Sequence, residues 1–151
     1  MSELIFRKAT IDDIPDLVDL RKRQLQDEGQ KPDTDMDQSL SRYFHEKMTA
    51  GQLVEYLAEA DGTAIASAAV IFMDYPPSFA DPDGTMAYVA NVYTADDFRG
   101  RGIAGILLEK VEQEARARGK TRLLLHASKM GIKAYRKAGY KETDTVMEKD
   151  I

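Results

Sequence analysis

The sequence predicts an α+β fold, mixed α/β in character, in which a central, mixed but mostly antiparallel sheet is flanked by helices. Three observations carry that reading. Leu53 to Glu59 and Thr63 to Met73 are strand-like runs joined by Ala60-Asp61-Gly62, and Asp-Gly between two apolar runs is a hairpin signal. Four other stretches read as helices, from apolar spacing and from residues that start and stop helices. The resulting order, β, α, α, β, β, β, α, β, α, β, concentrates hairpins in the first half and alternates strands with helices in the second.

Glu3 to Lys8 reads as the first strand, and Thr10-Ile11-Asp12-Asp13 then offers capping side chains. Pro15 is tolerated only in a first turn, so the helix enters near Asp12 or Asp13 and buries Ile14, Leu17, Val18 and Leu25, with Leu20 beside them. Asp27 to Asp37, with Gly29 and Pro32, reads as a loop, and a second helix runs from about Gln38 to Thr49 before Gly51. After the hairpin comes a loop from Asp74 to Gly84, rich in proline, and then a strand from Met86 to Thr94. The helix from about Ile103 to Arg118 buries Ile103, Leu107, Val111 and Ala115 and pairs Glu112 with Arg116 and Glu114 with Arg118. Gly119 ends it. Thr121 to Ala127 reads as a strand, Lys129 to Ala138 as a last helix stopped by Gly139, and Tyr140 to Lys149 has strand character.

Residues 1–151 have the length of a single domain, with 43% apolar and 31% charged residues, an ordinary globular mix. The longest nearly apolar run, Ala64 to Met73, suits a buried strand and is half a membrane span, so no membrane partner is expected. Met1-Ser2-Glu3-Leu4 shows no basic stretch leading into an apolar one, and a cytoplasmic location is expected. The absence of cysteine removes disulfides, thiolate metal sites and a cysteine nucleophile together. His45 and His126 are far apart in sequence, so no metal is expected. A balance of 21 basic against 26 acidic residues, net −5, disfavours sequence-independent nucleic-acid binding, which relies on neutralising phosphates.

Arg99-Gly100-Arg101-Gly102-Ile103-Ala104 lies between a strand and an amphipathic helix and reads as an anion cradle. Glycines turn backbone N–H groups toward a ligand at little steric cost, and the helix adds unpaired donors and the positive end of its dipole. A diphosphate is the natural guest. Gly100, Gly102 and Gly105 also spell a GxGxxG string, but four residues separate the strand from Arg99. The next strand closes on Leu125-His126-Ala127, with no acid to hold a ribose, which argues against a dinucleotide site. A P-loop fails because no GK[ST] follows the glycines. An ordinary glycine turn remains the alternative.

Arg99, Gly102 and Ala104 meet the pattern [QR]xxGx[GA], and Ala134-Tyr135-Arg136-Lys137-Ala138-Gly139-Tyr140 meets a second pattern, a helix with Tyr followed by Gly-aromatic. In both motifs, and in element order from Leu4 to about Lys149, the chain resembles the GCN5-related N-acetyltransferase family. The resemblance implies a single N-acetyltransferase domain using acetyl-CoA. Its pyrophosphate would meet backbone donors from about Arg101 to Gly105, with Arg99 and Arg101 adding charge. The resemblance also implies that the pantetheine arm lies along the Val92-Tyr93-Thr94 edge like an added strand.

Family precedent implies direct attack of an acceptor amine on the thioester. A strand N–H near Val92 would then stabilise the oxyanion, and Tyr135, at the family's acid position, would protonate the departing thiolate. Tyr135 also suits ring packing beside Gly131 and Ala138. No Asp or Glu lies between Thr85 and Ala95, and Leu123 stands where some relatives place a glutamate, so a water relay or an acid such as Asp74 would accept the amine's proton. His126, alone on its strand, reads better as structural. Ser128 stands where the family often has Asn, and suits either a cofactor contact or a helix cap. Lys129, Lys133, Arg136 and Lys137 read as a solvated helix face. The expected acceptor is a primary amine on a small molecule, an amino-acid-like compound or a peptide. An acidic rim of Asp27, Glu28, Asp33, Asp35 and Asp37, with aromatic walls from Tyr75 and Phe79, would draw in a cation, although a plain solvated loop explains the same residues. Dimers are common in the family, which makes a homodimer compatible with the sequence. A non-catalytic acyl-CoA-binding module of the same fold is the alternative function.

Overall fold

The computed structural model describes residues 3–143 and 145–151. Met1, Ser2 and Asp144, the last within the expected final strand, lie outside the described residues. Four strands form one antiparallel sheet in chain order: β1 (Leu4–Lys8), β2 (Leu53–Ala60), β3 (Thr63–Asp74) and β4 (Thr85–Thr94). Helices α1 (Ile14–Asp27) and α2 (Asp37–Thr49) separate β1 from β2, α3 (Ile103–Ala117) follows β4, and a short α4 (Ile132–Lys137) comes last. The β2–β3 hairpin forms where expected, with Asp61 and Gly62 both at positive φ as a tight two-residue turn requires. A one-turn 3₁₀ segment, Ile11–Asp13, precedes α1, and the Asp13 carboxylate accepts from the Thr10 N–H at 2.7 Å and from Arg7 at 2.7 and 2.8 Å.

Strand alternation puts Val54, Ala58, Ala68 and Val70 on one face, against Ile103, Leu107, Leu108, Val111 and Ala115 of α3. Leu53, Leu57 and Ala69 face the other way, against Ile14, Leu17 and Val18 of α1 and Leu40 and Phe44 of α2. Each helix stripe read from the sequence therefore has its own face of the sheet. Among the described residues, no helix is long and apolar enough to cross a membrane.

The second half departs from expectation. Thr121 to Ala127 is not a strand: it touches the sheet through a single parallel bridge, Tyr88 with Leu124, where Val89 N–H donates to the Leu124 carbonyl at 2.8 Å and Leu124 N–H to the Ala87 carbonyl at 3.1 Å. The cause lies in β4. Ser67 pairs with Tyr93 and Ala69 with Ala90, so Asn91 and Val92 together oppose one residue, and Asn91 takes φ +57°. This bulge bends β4 away from the segment beyond Leu124. The tail, 140–143 and 145–149, also forms no strand, having no ladder to join. The expected helix from Lys129 to Ala138 shortens to α4, because Ser128 to Gly131 form a turn in which the Ser128 hydroxyl accepts from the Gly131 N–H at 3.2 Å.

Candidate active site

Beyond the Tyr88–Leu124 bridge, β4 has no strand on its outer side among the described residues, and its edge from Val92 to Thr94 opens onto a cleft of about 780 Å³. Val92, Tyr93, Thr94, Arg99, Gly100, Gly102, Ile103, Ala104, Gly105, Ser128 and Tyr135 all line this cleft. Residues from β4, the glycine loop, α3 and α4 that the sequence marked as site residues are thus brought together. Arg101 is not: its guanidinium sits 5.2 Å over the Phe98 ring and donates to the Asp97 carbonyl at 3.2 Å, outside the cleft lining. Ring stacking and a carbonyl partner hold it against its own loop.

Gly100 and Gly102 have φ of +77° and +78°, a left-handed backbone that glycine adopts without strain, with open space where a Cβ would stand. Gly102 caps α3. The first helical hydrogen bond runs from Ile106 N–H to the Gly102 carbonyl at 3.3 Å, leaving the N–H groups of Ile103, Ala104 and Gly105 without a partner in the helix. Arg99 braces this loop rather than offering a free charge. It donates to the Thr94 carbonyl at 2.9 Å and pairs with Asp27 at 2.9 Å and Asp96 at 2.5 Å. With two carboxylates on one guanidinium, the unpaired backbone N–H groups are the donors this loop leaves without a counter-charge.

Tyr135 is buried and makes no hydrogen bond to another described side chain. Burial, with Glu28 and Tyr88 adding to it, pushes its phenol up to about 12, so the hydroxyl keeps its proton at neutral pH. Tyr140 packs edge-on against its ring at 5.9 Å, and the Tyr140 hydroxyl is buried without a partner in the same cleft.

A second cavity, of about 690 Å³, lies on the α1/α2 side of β4 and includes Arg21, Tyr43, Lys47, Asp74, Tyr88 and Asn91 in its lining. The bulge divides the two spaces: Val92 lines the first and Asn91 the second. Beside the second cavity Glu55 is fully buried. Burial lifts its carboxyl to about 8 against the pull of Ser67, Asn91 and Arg21, and its Oε2 has no partner. The Tyr88 hydroxyl, raised chiefly by burial, is hydrogen-bonded to His126 Nδ1, so His126 is not the isolated strand residue it reads as in the sequence. Arg21, Glu55, Tyr88 and Asn91 carried no recognisable motif. The β4 alternation, which sets Tyr88 and Ala90 on one face, is a faint signal for Tyr88 alone.

Only part of the expected acidic rim meets a cavity: Asp27 and Glu28 line the first, Asp27 being tied to Arg99, whereas Asp37 is tied to Lys22 at 2.6 Å and, with Asp33, Asp35, Tyr75 and Phe79, lines neither cavity. Among the described residues, no group of three or more His, Asp and Glu side chains gathers as a metal site.

Residues 14–140 match the model of the acetyltransferase (GNAT) family. The chain belongs to this family. Among solved structures, a predicted acetyltransferase from Clostridium acetobutylicum with acetyl-CoA is 41% identical, with 98% of this chain and 96% of that one covered and a TM-score of 0.93. A GCN5-related N-acetyltransferase from Ralstonia eutropha is 26% identical over 99% of both chains, TM-score 0.88. Glucosamine-6-phosphate N-acetyltransferase from Arabidopsis thaliana, 20% identical over 98% of both chains with a TM-score of 0.76, shares the fold. No curated protein matches the sequence. This GNAT-family chain is accordingly an acyltransferase enzyme with an α+β fold.

Proposed function

We propose that this acyltransferase moves an acetyl group from acetyl-CoA to a primary amine by direct attack of the amine on the thioester. The observation that carries the proposal is the bulge at Asn91 and Val92, which separates two cavities by the thickness of one strand. The first cavity has the donors for the cofactor: unpaired N–H groups at the start of α3, an open β4 edge that an amide-containing arm can join, and the unpartnered Tyr140 hydroxyl. When bound, acetyl-CoA supplies an activated acetyl thioester. The second cavity admits the amine.

The chain's own groups then divide the work. Val92 lies outside the β3 register, and its N–H is assigned to the carbonyl oxygen as charge develops there. Tyr135, still protonated at neutral pH, donates to the leaving sulfur. The amine's proton passes to the Tyr88 oxygen while the Tyr88 hydroxyl proton passes to His126 Nδ1, which the hydrogen bond between them prepares. A thiol-release assay with purified protein, acetyl-CoA and a panel of amines tests the proposal. Thiol release that depends on the amine and yields the N-acetylated product is expected. Cofactor binding without amine-dependent release overturns it.

A further inference from the structure

The lining of the second cavity includes two cations that form no ion pair among the described residues. Arg21 projects from α1 and Lys47 from α2, and both line it. Among the described residues the Arg21 guanidinium donates only to the Gln24 side chain, at 3.3 Å, and the Lys47 ammonium only to Gln52, also at 3.3 Å. Neither forms an ion pair among the described residues. Elsewhere the chain supplies acids generously: Arg7 has Asp13 and Glu59, Lys22 has Asp37, Arg99 has Asp27 and Asp96, and Lys120 has Asp81 and Asp83. The acid nearest in kind, Glu55, is protonated at neutral pH because it is buried, so it does not neutralise Arg21. Asp74, at the end of β3, is the one acidic residue in the lining. The charge of Arg21 reaches inward, acting on Tyr43, Glu55 and Tyr88.

A half-buried guanidinium without an anion presents a planar fork of donors suited to a carboxylate or phosphate. Tyr88, which we assign to proton transfer, lines the same cavity. We infer that the acceptor is a small amine bearing an anionic group, carboxylate or phosphate, which Arg21 grips with Lys47 in support while the amino group lies toward Tyr88 and Asn91. The inference rests on the acetyl-transfer reading and narrows it, replacing the cation-seeking rim expected from the acidic loop by a site of opposite preference. A polyamine or a neutral amine would leave Arg21 unsatisfied.

The test compares matched acceptors on the wild-type protein: an amino acid against its amide, and an amino sugar against its phosphate, with spermidine as the cationic control. The anionic member of at least one pair should show kcat/KM about tenfold or more above its neutral partner, as expected for a charge-assisted bidentate contact. The pair that shows the effect distinguishes carboxylate from phosphate. Arg21→Gln should remove the preference, and Arg21→Lys should restore part of it. Without acetyl-CoA, calorimetry should detect the N-acetylated anionic product binding to wild type and more weakly to Arg21→Gln. Turnover in which neutral amines or spermidine match the anionic acceptors overturns the inference and leaves acetyl transfer standing. If no amine is acetylated, the acetyl-transfer reading fails, and the calorimetry then decides the anion site alone: binding lost in Arg21→Gln upholds it, and no binding to wild type refutes it. Should Arg21→Gln fail to fold, Arg21→Lys, Lys47→Gln and the wild-type pairs carry the same comparison.

Discussion

Gly131→Ala should damage catalysis while leaving the fold almost untouched. Gly131 has φ −89° and ψ −14°, an ordinary right-handed conformation, so alanine brings no backbone strain. The obstacle is Tyr135, four residues on, whose ring leans back over the preceding turn as helical side chains do. A Cβ at Gly131 would stand 2.8 Å from Tyr135 Cε2, 3.3 Å from Cζ and 3.4 Å from the Ser128 hydroxyl oxygen. Carbon atoms rest at roughly 3.5–4.0 Å, so the ring must shift by about 1 Å. Tyr140 stands edge-on to that ring, and the cleft is the open side. A misplacement of about 1 Å at a reacting group can cost about 100-fold in rate, whereas overpacking of this size costs only about 1–2 kcal/mol of stability. The assay is thiol release at saturating acetyl-CoA, with calorimetric CoA binding and thermal unfolding alongside. Combining Gly131→Ala with Tyr135→Phe should be no slower than Tyr135→Phe alone, because both act through one hydroxyl. Activity within about threefold of wild type, or fully additive losses in the double variant, would refute the reasoning.

Tyr135→Phe itself should lower kcat by about 100-fold or more with CoA affinity preserved, since it removes a proton donor and no phosphate contact; kinetics and calorimetry on one preparation check both parts. Tyr88→Phe and His126→Gln should each slow amine-dependent release, and the double variant should be no slower than the slower single one, because both act on the same proton. Arg21 acts on Tyr88, and Tyr88 on Tyr135, so the comparison is made at fixed, low salt; fully additive losses in the double variant, or unchanged release in either single one, place proton acceptance elsewhere. Glu55 binds its proton more tightly folded than unfolded, about 8 against 4.5, so its contribution is complete below about pH 4.5 and is lost as pH rises through about 8. The loss amounts to no more than about 5 kcal/mol. Glu55→Gln has no proton to lose, and denaturant midpoints should show it gaining on wild type between pH 5 and pH 9; parallel curves would count against a neutral Glu55.

What was legible in the sequence is what is local. The glycine loop, the stripe of α3 and the Asp61-Gly62 turn depend on residues within a few positions of one another, and each forms where the spacing puts it. Tyr135 joins the cleft because its motif carries the distance information that one sequence otherwise lacks. Arg101 reads like Arg99, but only the fold shows that one stacks on Phe98 while the other braces Thr94. Leu123-Leu124-Leu125 has strand composition, and whether it pairs depends on a bulge at Asn91 more than 30 residues earlier. The acidic loop misleads for a related reason. A cluster of carboxylates looks like a field until Arg99 and Lys22, placed by tertiary structure, take up its two ends. Arg21, Lys47 and Tyr88 come from two helices and a strand, and no motif links them.

The most direct test follows free CoA thiol and N-acetylated product together, from acetyl-CoA, in the presence of amino acids, amino sugar phosphates, polyamines and peptides. Acetyl transfer across the Asn91–Val92 bulge predicts equimolar thiol and product with at least one amine class, at a rate that drops in Tyr135→Phe. Tight binding of acetyl-CoA with no amine-dependent thiol release in any class would contradict it, and would leave the cleft as the binding site of a non-catalytic module.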